Sequence, residues 1–330
     1  MELIDNNQRK IEYLRISVTD KCNLRCLYCM PGEGVCFKRH EDVLSYEEVL
    51  RLVHIMVPMG VKKVRITGGE PMVRKDLKDF IILLGLIDGI DEITMTTNGL
   101  LLEGRVKEFR DAGLTGINIS LDSTMEDTYR QITGKDGAEA VLKVLDEALD
   151  AGLRVKINCV PVKGINDRET ERITLLAKDR DIDVRFIELM PIGCGRAYQG
   201  IPSDELLAAF EEIYGRAQPV SPADNDAKGP AECFRFEGFK GRVGFISPLS
   251  HKFCDRCNRL RLTAEGYLKP CLFYEPTVSL RDMMRSGASD EELESTIKRL
   301  CLEKPEGHLF DKGDEGGKNK EKRRMNEIGG

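Results

Sequence analysis

Three cysteines, Cys22, Cys26 and Cys29, stand at C-x3-C-x2-C spacing in the segment CNLRCLYC. Thiolates this close in sequence can converge on one metal centre. Three of them satisfy three irons of a [4Fe–4S] cube and leave the fourth iron open to an exogenous ligand, whereas four would close the cluster for electron transfer. An open iron implies chemistry at the cluster. The competing reading is structural zinc, which takes four ligands, usually in paired C-x2-C form; the only rival completing ligand nearby in sequence is Cys36. Far downstream, Cys254, Cys257 and Cys271 make a second group at C-x2-C-x13-C, again with three ligands. Here a zinc knuckle completed by His251 or Cys301 stays open as an alternative.

Beside that second group runs Arg259-Leu260-Arg261. Alternation along a strand puts both arginines on one face. Two guanidiniums held together repel unless an anion joins them, and their planar forks suit phosphate oxygens. Arg15, Arg65, Lys156 and Arg185 add cations within further strand-like runs, where a parallel sheet covered on both faces would ordinarily be apolar. Pairing with carboxylates such as Glu188 is the plainer explanation for any single one of them. No G-x-x-x-x-G-K-[ST] loop occurs, so a nucleotide would be held by side chains.

The elements that must position these groups follow a βα repeat. Strand-like runs cover Tyr13 to Thr19, Lys63 to Thr67, Glu92 to Thr96, Gly116 to Leu121, Val155 to Val160 and Asp183 to Glu188. Helical patterns lie between them, at Ser45 to Val57 and at Ala138 to Asp150, where Val141, Leu142, Leu145 and Leu149 recur at helical spacing. Ser45 and Glu48 fit a capping box. Six such units predict an α/β fold with an incomplete (β/α)6 barrel, whose ligands sit at the carboxyl ends of the strands. The repeat weakens between Gly193 and Lys228 into a short helix and a loop rich in Pro, Asp and Ala. A strand at Arg242 to Ser247 and a hairpin from Leu260 to Leu272, turning at Glu265-Gly266, then open a second region. The expected organisation is a barrel over 1–192, a C-terminal region over 193–310 that closes the barrel mouth, and a charged, mobile tail over 311–330.

Composition sets the class. The chain has 330 residues, of which 41% are hydrophobic and 32% charged, enough for a substantial core. No apolar run approaches the roughly 18 residues of a membrane span, and Met1 is followed by a polar, acidic stretch rather than a secretory leader. A cytoplasmic, membrane-free protein is expected. The net charge of −6 gives no field to attract nucleic acid, so an anionic ligand needs a local cationic cluster. Eleven cysteines, six of them in the two tight groups, read as cluster ligands before disulfides; Cys36, Cys159, Cys194, Cys233 and Cys301 read as ordinary thiols.

With Tyr28 directly before its last cysteine and Gly68-Gly69-Glu70-Pro71 after the second strand, the first group resembles the radical S-adenosylmethionine (SAM) superfamily. More narrowly, CNLRCLYC, ITGGEP, RFIELMPIG, GFISPLSHKFCDRCNRLRLT and the terminal Ile328-Gly329-Gly330 resemble the GTP 3′,8-cyclase family, lyases that begin molybdenum cofactor biosynthesis. The resemblance implies one [4Fe–4S] cluster on Cys22, Cys26 and Cys29 and a second on Cys254, Cys257 and Cys271. It implies SAM contacts from Tyr28, Gly69, Ser120 and Met190, and GTP contacts from Arg15, Arg65, Thr96, Lys156, Arg259, Leu260 and Arg261. Arg15, Arg259 and Arg261 would act in catalysis, and the Gly-Gly terminus would reach the active site. The implied reaction takes hydrogen from C3′ of GTP and joins C3′ to C8. An external electron donor, hand-over of product to cyclic pyranopterin monophosphate synthase and a homodimer are family expectations. Two rivals remain: a radical enzyme acting on a peptide, and a non-catalytic zinc or electron-transfer protein.

Overall fold

The computed structural model describes residues 2–221, 229–310 and 320–329. Six parallel strands and the helices between them form the expected units: β1 (Tyr13–Ser17), α1 (Tyr46–Met56), β2 (Lys63–Thr67), α2 (Leu77–Gly85), β3 (Glu92–Thr97), α3 (Val106–Asp111), β4 (Gly116–Ser120), α4 (Glu126–Thr133), α5 (Ala138–Asp150), β5 (Arg154–Cys159), α6 (Thr170–Asp179) and β6 (Asp183–Ile187). The Ser45–Glu48 capping box is present at the start of α1. The first strand ends at Ser17, two residues short of its expected end, and the chain then leaves the sheet to form the cysteine loop.

The remaining elements are α7 (Ser203–Tyr214), β7 (Gln218–Pro219), β8 (Glu232–Arg235), β9 (Arg242–Ile246), β10 (Arg259–Leu262), β11 (Leu268–Lys269), α8 (Leu280–Arg285), α9 (Asp290–Leu302) and α10 (Met325–Ile328). The hairpin at Glu265-Gly266 is observed, with β10 and β11 antiparallel. The strands after Gly193 do not form a sheet of their own. Among the described residues they extend the barrel sheet at both edges, in the order β11-β10-β1-β2-β3-β4-β5-β6-β9-β8-β7. Strand β10 lies parallel to β1, and β9 parallel to β6. The sheet stays open as a partial barrel.

Period-two alternation sorts the side chains of every barrel strand. Leu14, Ile16, Val64, Ile66, Ile93, Met95, Ile117, Ile119, Val155, Ile157, Val184 and Phe186 are buried in one continuous core that includes Leu52, Phe80, Phe109, Val144 and Ile173 of the surrounding helices. The alternate positions face inward and are polar. Register aligns them in rows, because paired residues of neighbouring parallel strands project to the same side. One row runs Arg261, Arg15, Arg65, Thr94 across β10, β1, β2 and β3. A second runs Thr96, Asn118, Lys156, Asp183, and a third runs Ser120, Asn158, Arg185. The charged residues that look anomalous in parallel strands are thus the lining of a polar lumen.

Two expectations fall on undescribed residues: the Pro, Asp and Ala loop is only partly placed, and residues 311–319 of the tail lie outside the described residues. From Lys320 to Gly329 the chain is placed, and it packs rather than hangs free. Ile328 joins Ile192, Phe273 and Phe310 in a small second core. No helix among the described residues is long and apolar enough to cross a membrane.

Candidate active site

The inward rows enclose a cavity of about 380 Å³, whose walls include both cysteine groups. Several buried polar atoms on its lining have no hydrogen-bond partner among the described residues: Tyr13 Oη, Thr96 Oγ1, Asn158 Oδ1, Arg185 Nε and Asn326 Oδ1. Buried polar atoms are normally satisfied, so this concentration marks a surface built for a polar ligand. The cations crowd one another. Burial pushes the Arg15 guanidinium well below its usual range, and Arg261, Arg65 and Arg259 add repulsion. Burial, with Arg259 beside it, brings Arg261 down to about 10. Arg65 donates to Thr94 Oγ1 at 3.2 Å, Arg259 lies over the Phe253 ring, and Arg261 donates to the Gly329 carbonyl at 3.3 Å. None of these three is ion-paired with a carboxylate among the described residues. Lys156 is different: it pairs with Asp183 at 3.0 Å, which Arg242 also contacts at 2.6 Å.

The first cysteine loop sits on the carboxyl ends of β1 to β3. Glycine is required where the GGEP turn meets it, since a Cβ at Gly69 would lie 2.5 Å from the Lys21 carbonyl oxygen and 2.7 Å from that of Asp20. Glu70 accepts from the Thr97 hydroxyl at 2.7 Å and from the backbone amides of Asn98 at 2.7 Å and Met72 at 3.0 Å, tying the β2 and β3 loops together. The Cys22 sulfur accepts from the Leu24 amide at 3.4 Å. Burial raises all three thiols, Cys29 to about 12. Coordination to a metal would favour the thiolate against this bias. Among the described residues no His, Cys, Asp or Glu group gathers around a point that one metal ion could occupy. Ligands of a cube sit on separate irons and need no such point.

The second group borders the same cavity, with Cys257 two residues before the amino end of β10. Burial would raise the Cys257 thiol, but Arg259 and Lys304 overcome it and bring Cys257 to about 6. His251 and Cys301, the candidate zinc completers, go elsewhere: His251 bonds Asp204 at 2.9 Å at the surface, and Cys301 is buried in the core. Cys254, Cys257 and Cys271 all face the cavity.

The Radical SAM superfamily matches residues 16–177, and the Molybdenum Cofactor Synthesis C family matches residues 182–310. A GTP 3′,8-cyclase of Thermodesulfovibrio yellowstonii is 47% identical over 92% of this chain and 94% of its own. One of Clostridium perfringens is 44% identical over 99% of both chains. The chain belongs to the GTP 3′,8-cyclase family. With it comes radical SAM chemistry, founded on a [4Fe–4S] cluster and SAM. The fold agrees: the crystal structure of Streptococcus suis SuiB bound to S-adenosylmethionine superposes with a TM-score of 0.60 at 15% identity, covering 92% of this chain and 75% of that one.

Against the family's expected site, the structure brings Tyr28, Gly69, Ser120, Met190, Arg15, Arg65, Thr96, Lys156, Arg259, Arg261 and all six cysteines to one cavity. Leu260 is the exception. Its side chain is fully buried on the opposite face of β10, in the apolar core, because alternation turns it away from both arginines. Glu188 does not serve the lumen cations; it accepts from the amides of Ser203, Leu249 and Ser250. Tyr28 donates its hydroxyl to Asp122, which also holds the Val160 amide at 2.7 Å. Asp122, Asn98, Asn118, Asn158 and Asn326 are site residues that sequence reasoning passed over. Asn118 and Asn158 carried a signal, since they occupy inward positions of strands already identified. Asn98 donates to Asn23 at 2.8 Å and Asn326 to the Asp20 carbonyl at 3.0 Å, contacts that leave no pattern in the chain.

Proposed function

We propose that this chain is a lyase that cyclises GTP to (8S)-3′,8-cyclo-7,8-dihydroguanosine 5′-triphosphate, the opening step of molybdenum cofactor biosynthesis. The observation that carries the reading is the row Arg261–Arg15–Arg65, with Arg259 beside it: a cluster of like charges facing a cavity with two three-cysteine groups on its walls. Such a cluster suits a triphosphate, which offsets the mutual repulsion through charge-assisted forks. Cys22, Cys26 and Cys29 would hold the cluster that binds SAM. Tyr28, Gly69, Ser120 and Met190 would line the cofactor. Cys254, Cys257 and Cys271 would hold a second [4Fe–4S] cluster. When bound, the first cluster and SAM would supply a 5′-deoxyadenosyl radical able to take hydrogen from C3′ of GTP; bonding of C3′ to C8 would then need one electron and one proton to complete the dihydro product.

The chain's own work is positioning. Arg15, Arg65, Arg259 and Arg261 hold the phosphates, Thr96 offers its unpartnered hydroxyl to the nucleoside, and Lys156 adds a cation from β5. Arg261 also holds the Gly329 carbonyl, which keeps the tail at the carboxyl ends of β1 and β2. An external electron donor, transfer of product to a pyranopterin-forming synthase, a cytoplasmic location and a homodimer complete the reading. A peptide substrate has no use for the arginine row.

The test is anaerobic reconstitution with iron and sulfide, reduction by dithionite, and incubation with SAM plus GTP, ATP or a peptide. About eight irons per chain, with 5′-deoxyadenosine and a cyclised nucleotide formed only with GTP, is the expected result. Release of 5′-deoxyadenosine that is indifferent to GTP, with about four irons, would reject both the substrate and the second cluster.

A further inference from the structure

Lys304 follows α9 and is 4% exposed, yet none of the described carboxylates accepts from it. Its ammonium has three protons, and the structure gives each an acceptor: Cys257 Sγ at 3.5 Å, the Arg259 carbonyl at 3.0 Å and the Pro270 carbonyl at 2.5 Å. These acceptors belong to the two chain segments that carry Cys257 and Cys271. A buried cation is costly unless an anion accompanies it. Of its three acceptors only the Cys257 sulfur can carry a negative charge, as it does when it ligates a metal. The ammonium is therefore placed to serve a metal-ligating Cys257.

Arg9 completes the arrangement from the opposite end of the chain. It donates to the Cys254 carbonyl at 2.6 Å, to the Pro305 carbonyl at 2.6 Å and to the Glu306 carbonyl at 3.0 Å, and is held by Asp5 at 2.6 Å. The third cysteine segment is thereby fastened to the strand of chain that delivers Lys304. Each of the three C-terminal cysteine segments is tied to one of these two cations.

We propose that Lys304 is a positioning and tuning residue of the C-terminal iron–sulfur site, donating to the Cys257 sulfur while Arg9 locks the segment that presents it. This rests on the second-cluster reading above. A hydrogen bond and a positive charge at a ligand sulfur stabilise the more negative, reduced cluster and so raise its midpoint potential. They also draw Cys257 and Cys271 together, which slows loss of iron.

The full-length chain with Cys22, Cys26 and Cys29 all changed to Ala isolates the C-terminal site. If that protein takes up no iron on reconstitution, the second cluster fails as a reading before Lys304 is touched. With about four irons bound, Lys304→Met is expected to move the midpoint, read by electron paramagnetic resonance during redox titration, to more negative potential. Iron loss to a chelator should speed up by about tenfold. Lys304→Gln, which keeps a neutral donor, should shift the midpoint in the same direction but less, and it carries the comparison if the Met variant does not fold. Unchanged midpoint and iron retention in these variants would overturn the proposal.

Discussion

Arg259 and Arg261 show how one structural period does chemistry. Alternation along β10 sends Leu260 and Leu262 into the core and both guanidiniums into the cavity. Charge-assisted hydrogen bonds contribute roughly 1.5 to 3 kcal/mol each. Arg259→Ala or Arg261→Ala is therefore expected to weaken GTP binding by roughly ten- to a hundredfold, measured by anaerobic equilibrium binding, with iron content and SAM binding retained. Unchanged affinity in both variants would remove the phosphate assignment. Glu70 behaves oppositely, as a buried carboxyl with no cation paired to it among the described residues. Burial lifts its carboxyl from the ordinary 4.5 to about 7, against the Asn98 and Met72 amides and the Thr97 hydroxyl that pull it down. The folded chain then holds a proton that the unfolded chain has released, so stability falls as pH rises from about 4.5 to about 7. Glu70→Gln abolishes that dependence. The stability of the wild-type apoprotein relative to the variant, read from urea unfolding, should decline across the window by up to about 3 kcal/mol. A flat difference would mean that the loop donors hold Glu70 ionised throughout.

At the scale of elements, the link that matters joins β11 to the tail. Lys269 and Glu321 form an ion pair with side chains 0% and 1% exposed, and Arg323 adds a second contact to Glu321 at 3.0 Å. The Glu321 amide also donates to the Phe273 carbonyl at 2.7 Å. This latch fixes where the chain re-enters before α10, whose Asn326 and Gly329 then reach the cysteine loop and the ends of β1 and β2. Breaking a buried pair by removing one partner costs about 3 to 5 kcal/mol, because the other charge stays buried. Glu321→Ala should therefore release α10, seen as faster amide hydrogen exchange at residues 325–329 while exchange in β1 to β6 is unchanged. Equal protection of α10 in the variant would show that the apolar contacts of Ile328 suffice.

For the whole molecule, the sheet order makes the barrel dependent on the C-terminal region. Strand β10 covers the edge of β1, and β9 covers the edge of β6. Exposed edges of flat, apolar parallel strands invite pairing with other chains. A chain ending at Ile192 is expected to aggregate, as seen by size-exclusion chromatography, even though it contains all six barrel strands. A monodisperse, folded fragment would show that the barrel closes its own edges.

The six strands, the alternation that makes a polar lumen, the α1 capping box and the C-x3-C-x2-C loop are local in the chain. Their signals are spacings of two to four residues, so they are legible in the sequence, and the family motifs are equally local. Asp122 beneath Tyr28, Asn326 against Asp20, Lys304 against Cys257 and Arg9 against Cys254 are not. Each joins segments separated by tens to hundreds of residues, and no periodicity or spacing encodes such a meeting. The same holds for the sheet. A strand's pattern shows that it has a buried face, whereas which edge it covers depends on the path of the chain, and only the fold decides that β10 lies beside β1 and places Arg261 level with Arg15.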